Sequence, residues 1–166
     1  MYQAVAFIHL LCAIIWVGGM LFLGLVVVPA TRGMPPADRG ALLSTLGRRF
    51  RYVGWVVVLI LIVTGIMNAH YHGVTIHSVT SGGLFESDFG KILTAKVIVV
   101  GLMLALSLVH DLVVGPAMSR ALLSSDAAAI EAAAVLRRRT AVLARVSALL
   151  AVVVVALAVL LVRGMP

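Results

Sequence analysis

Ala4-Val-Ala-Phe-Ile-His9-Leu-Leu-Cys12-Ala-Ile-Ile-Trp16-Val-Gly-Gly-Met20-Leu-Phe-Leu-Gly-Leu-Val-Val-Val-Pro29 contains one imidazole and no formally charged side chain. A helix needs about 20 apolar residues to cross the hydrocarbon core of a bilayer, and this run supplies them with length to spare. Working outward, three further runs meet the same requirement: Val53 to Ala69, Ile92 to Val114 and Leu143 to Val162. The fold class expected is all-α and integral to the membrane. It is a four-transmembrane-helix bundle in a single domain, residues 1–166, with helices over about 4–29, 53–70, 92–114 and 143–163. The first run does not read as a cleaved signal peptide. It lacks a basic leading region, is too long, and is followed by no convincing small-residue cleavage site.

Composition agrees. Of the 166 residues, 63% are apolar and 11% charged, and the mean hydropathy is +1.18. A water-soluble domain of this length needs more charge to solvate its surface. The formal net charge of +7 does not point to nucleic acid, because the arginines cluster between the apolar runs, as topology signals do. Arg32, Arg39, Arg48, Arg49 and Arg51 lie between the first and second runs, and Arg120, Arg137, Arg138 and Arg139 between the third and fourth. The opposite side has Lys91 and Arg163. The positive-inside rule therefore puts the arginine-rich loops in the cytoplasm and both termini outside, in the periplasm of a bacterial inner membrane. Cys12 is the sole cysteine, so no disulfide framework exists.

The loops carry some order of their own. Pro35-Pro36-Ala37-Asp38 predicts a helix start ahead of Ala41–Phe50, whose arginines would rest at the membrane surface. Ser124-Ser125-Asp126 can cap a helix through Ala127–Arg139 that flows into the fourth span. The loop from His70 to Gly90, rich in Gly, Ser and Thr, reads as irregular, and no internal repeat is evident.

Ionisable groups are costly in lipid, which makes His9, Lys96, His110, Asp111 and Arg145 functional suspects. His9 and Lys96 lie at similar outer depth, whereas His110 is 14 residues beyond Lys96, about 21 Å deeper. His9, Cys12, Trp16 and Met20 share one face of the first helix, and Lys96, Val100, Met103, Ser107 and His110 one face of the third. Met67, Asn68, His70 and His72 close the second helix, with His77 in the loop after it. Imidazole, thiol and thioether groups at one membrane face suit copper, and imidazole also serves haem iron. The expected metal or haem ligands are thus His9, His70, His72, His77 and Lys96, supported by Cys12, Trp16, Met67 and Asn68. Interfacial hydrogen bonding accounts equally for His72 and His77, and snorkelling for Lys96. His110, Asp111 and Arg145 form a structural group or a second inner site, in which Asp111 pairs with Arg145.

His9-Leu-Leu-Cys-Ala-Ile-Ile-Trp16-Val-Gly-Gly19 followed by Pro29 resembles the first helix of the copper-resistance protein D (CopD) family. Arg48-Arg49-Phe50, Thr64-Gly65-Ile-Met-Asn68-Ala, Gly90-Lys91-Ile-Leu-Thr-Ala-Lys96 and His110 extend the resemblance from Ala4 to Asp111. It implies copper handling at the inner membrane beside a periplasmic copper-binding protein. The first helix is also similar, more distantly, to that of HemJ-type protoporphyrinogen oxidases, which implies haem b with His9 and Lys96 at the matching positions. In that family a longer aromatic and basic signature follows, where this chain has Leu25-Val-Val-Val-Pro29. Three readings result: a copper- or metal-binding CopD-like protein, a b-type haem oxidoreductase working on a porphyrin or quinone, and a cofactor-free accessory subunit of a larger membrane complex.

Overall fold

The computed structural model of the chain describes residues 1–114 and 127–163. Every regular element among them is helical. Helix α1, Tyr2–Phe22, continues through a wide π turn, Leu23–Val27, into Val28–Ala30. Helix α2 spans Pro36–Tyr71, the short α3 Ile76–Thr80, and a 3₁₀ turn Gly83–Glu86. Helix α4, Asp88–Val109, ends in a second π turn, His110–Val114, and α5 spans Ala127–Arg163. Among the described residues, four segments are long and apolar enough to cross a membrane: Tyr2–Ala30, Asp38–Tyr71, Asp88–Val113 and Arg138–Arg163.

The long helices outrun the bilayer. With 36 residues, α2 measures about 54 Å against a hydrocarbon core of about 30 Å. The surface helix expected over Ala41–Phe50 and the second span are therefore one rod, begun at Pro36, where a missing N–H costs nothing. Only Gly47 and Gly54 weaken the helix between Ala41 and the second span, and neither stops it. In α5 the run from Ala127 does flow into the fourth span; its proposed cap, Ser124-Ser125-Asp126, lies outside the described residues. Helix α4 starts at Asp88, ahead of the expected Ile92, because Ser87 Oγ accepts the Gly90 N–H at 3.1 Å and caps the first turn. The loop from His70 to Gly90 is also more regular than expected. Thr75 and Ser78 cap each other reciprocally, and that capping box starts α3.

The described chain divides into two compact units, Met1–Gly83 and Leu84–Pro166. In the first, α1 and α2 pack antiparallel: Tyr2 meets Tyr71, His9 meets Thr64, Trp16 lies beside Gly54, and Phe50 rests on Gly19. Cys12, Trp16 and Val17 are buried on α1, and Val57, Val58 and Thr64 on α2. In the second, α4 packs on α5, with Ile92 and Met103 buried on one helix and Ala151 and Val154 on the other. The Lys96–Val100–Met103–Ser107–His110 stripe is the less exposed face of α4, while Val97, Ile98, Leu102, Leu108 and Val109 point outward.

One short string recurs in the sequence of both units. Leu25-Val-Val-Val-Pro29-Ala30 recurs as Leu112-Val-Val-Gly-Pro116-Ala117, 87 positions later. Proline lacks an N–H, and its ring presses on the carbonyl four residues back. For Pro29 that position is Leu25, which lies inside the first π turn. A widened turn is a standard way for a helix to absorb such a break. The same offset aligns His9 with Lys96, Trp16 with Met103, and Thr64 with Ala151. Trp16, Met103, Thr64 and Ala151 are all buried.

Gly90 shows where backbone closeness decides stability. A Cβ there would run into the Leu84 carbonyl, whereas one at Gly18 meets nothing within 4 Å. Gly90→Ala should cost about 1–3 kcal/mol, and Gly18→Ala less than about 0.5 kcal/mol. Thermal unfolding midpoints in detergent, compared side by side, check this.

Candidate functional site at the histidine end of the first unit

The α1–α2 interface is apolar for most of its length and becomes polar toward Tyr2 and His72. Tyr2, His9 and Trp16 recur every seven residues, so all three lie along the seam with α2. On α2, Thr64 and Asn68 are one turn apart and share a face. These positions build a polar line within an otherwise hydrocarbon contact.

His9 is half-buried. Its Nδ1 is 2.8 Å from Thr64 Oγ1. The Thr64 hydroxyl, 6% exposed, is also 2.7 Å from the Ile60 carbonyl, which can only accept. The single hydroxyl proton is therefore directed at Ile60, and Thr64 Oγ1 accepts from His9 Nδ1–H. In a neutral imidazole this places the lone pair on Nε2. Gly65 makes the approach possible: a Cβ there would lie 3.4 Å from His9 Cε1.

The same logic holds at the mouth of the seam. His72 Nδ1 is 2.8 Å from the Asn68 carbonyl and must donate to it, so Nε2 again carries the lone pair. Tyr2 Oη stands 3.5 Å from that Nε2, and the Tyr2 ring meets Tyr71 and His72 edge-on, with centroids 5.5 and 5.6 Å apart. Between the two histidines, Asn68 Oδ1 is buried with no hydrogen-bond partner among the described residues. Tyr2 and His9 are seven residues apart, about 10 Å along α1. That spacing sets His72 and His9 at successive levels of the seam.

The other sequence candidates divide clearly. Cys12 and Trp16 are buried on the same α1 face as His9. Met67 is 38% exposed. His70 is exposed, as it must be two positions from Asn68 and off the seam face, and His77 is exposed on α3. Among the described residues no three His, Cys, Asp or Glu side chains come together as a metal-holding group. In the second unit, Lys96 is half-buried on the inward face of α4. His110 and Asp111 contact each other within the π turn at 3.2 Å, and Arg145 is exposed on α5.

Thr64 and Gly65 are the residues whose roles sequence reasoning missed. Their signal was a hydroxyl, a glycine and an amide at positions i, i+1 and i+4 of one apolar helix, which becomes readable only once His9 is seen opposite.

These features define a multi-pass helical membrane protein with a polar seam inside one helix pair. A family model described as "Copper resistance protein D" matches residues 44–161, and the chain belongs to that family. The match takes in Arg48-Arg49-Phe50, Thr64 to Asn68, Lys96 and His110, and it begins beyond the His9–Trp16 helix. An uncharacterized protein of Aquifex aeolicus (strain VF5) is 32% identical over 116 residues, covering 69% of this chain and 71% of that protein. No solved structure matches. These matches carry the CopD resemblance and do not bear on the similarity to HemJ-type oxidases.

Thr64→Val would leave the His9 Nδ1–H without its acceptor and should cost about 1–3 kcal/mol, while Thr64→Ser should retain most of the stability. Unfolding of the purified variants in detergent distinguishes the two.

Proposed function

We propose that the chain handles copper at a bacterial inner membrane, binding the ion at the histidine end of its first unit with His9 as principal ligand. The observation that carries this reading is the His9 imidazole, fixed by Nδ1–H donation to Thr64 so that Nε2 bears the lone pair. Ligating histidines are commonly oriented through their other ring nitrogen in this way, and imidazole is a suitable donor to copper. His72, held in the same tautomer beside Tyr2, is the outer station, and Asn68 Oδ1 supplies an oxygen between the two. The arginine bias supports a periplasmic histidine end, where a periplasmic copper-binding protein or another membrane subunit would deliver or receive the ion.

A second reading, a b-type haem protein, is favoured by one feature of the same geometry. A single oriented imidazole is what an axial ligand requires, and haem needs no cluster of three protein ligands.

Metal analysis and oxidised and dithionite-reduced spectra of one purified sample decide between them. Near-stoichiometric copper that falls to background in His9→Ala, drops partly in His72→Ala and persists in His70→Ala is the expected result. Copper unchanged by His9→Ala defeats the assignment, and a Soret band lost in that variant installs the haem reading instead. For orientation, a cysteine at Ser81 in a Cys12→Ser background should react with an impermeant maleimide added to spheroplasts, and one at Ser44 should not.

A further inference from the structure

The first unit carries a second feature at its opposite end. A cleft of about 320 Å³ lies between α1 and α2, lined by Ile15, Gly19 and Phe22 on one side and Leu46, Arg49 and Phe50 on the other. Its size is at the lower end of ligand pockets, about 300–1,000 Å³. Its origin is local. Gly19 has no side chain, so the Phe50 ring settles against the α1 backbone, while Ile15 and Phe22, above and below, remain 42% and 58% exposed. Leu23, which also lines the cleft, opens the π turn of α1.

The chemistry of the walls is lopsided. Arg49 is the only polar residue among them. It is exposed, and Arg48 beside it is exposed as well. Among residues 1–83 the only carboxylate is Asp38, eleven residues before Arg49 and about 16 Å away along α2. A small apolar molecule would have no use for the guanidinium, and a free phosphate none for the hydrocarbon slot. A molecule with an alkyl chain joined to an anion uses both, and the planar guanidinium fork suits a phosphate.

We infer that this cleft is a specific site for an anionic phospholipid, with the phosphate on Arg49 and one acyl chain laid along Gly19 and Phe50. The site is independent of the copper reading, since it lies at the other end of the helix pair and shares no residue with it.

The test is native mass spectrometry of the full chain released from detergent containing equimolar phosphatidylglycerol and phosphatidylcholine with identical acyl chains. The wild type should retain phosphatidylglycerol preferentially. Arg49→Gln should cut that preference about fivefold, the worth of one basic residue at an anionic surface. Arg39→Gln, which removes the same charge from the same helix outside the cleft, should leave it intact. Leu46→Trp, which fills the cleft, should release both lipids, whereas Leu42→Trp should release neither. Equal retention of the two lipids by the wild type would overturn the proposal. So would equal losses in Arg49→Gln and Arg39→Gln, which would mark diffuse surface charge, or a lipid-free dimer closed through this face. Arg49 is solvent-exposed, so its variant folds and carries the decision even where Leu46→Trp does not.

Discussion

A hydrocarbon core offers no water, so every polar group carried into it must find its partner within the protein. The Thr64 hydroxyl answers that demand twice. It gives its proton to the Ile60 carbonyl of its own helix and its lone pair to the His9 N–H of the neighbouring one. That one oxygen joins two helices and sets the tautomer of the imidazole. Gly65 allows the ring to lie close, and the apolar packing of Cys12, Trp16, Val57 and Val58 keeps the contact dry. The seam is therefore both a structural joint and the place where ligand chemistry becomes possible.

The second unit offers a contrast. In each unit the first long apolar helix widens into a π turn, Leu23–Val27 in one and His110–Val114 in the other. Packing is kept between them, since Trp16 and Met103 fill aligned buried positions. Polar chemistry is not. Where the first unit pairs His9 with Thr64, the second has Lys96 and Ala151, and alanine offers no hydroxyl to orient a neighbour.

The grouping of His70, His72 and His77 was legible as composition, while the element and face that carries each was not. Helical periodicity separates His70 from the seam by about half a turn, and the capping box at Thr75 carries His77 onto a separate short helix. The Ala41–Phe50 segment was legible as a helix but not as part of α2, because hydropathy marks where a helix leaves the bilayer and not where its backbone hydrogen bonds stop. Lys96 and His110 were correctly read onto one face of α4, since a period of 3.6 residues needs no partner to be seen.

By itself, the sequence determined the class of fold, the number of membrane-length helices among the described residues and the less exposed face of the first and third of them. Length, hydropathy and periodicity are properties of single segments, and lipid leaves a single segment little choice but to be a helix. Only the tertiary structure decided which polar residues meet. It paired His9 with Thr64 and left Asn68 Oδ1 buried with no hydrogen-bond partner among the described residues. It also set Phe50 on Gly19 so that a cleft opens beside Arg49. Those outcomes depend on the register of α1 against α2, a relation between segments more than fifty residues apart that no local pattern encodes.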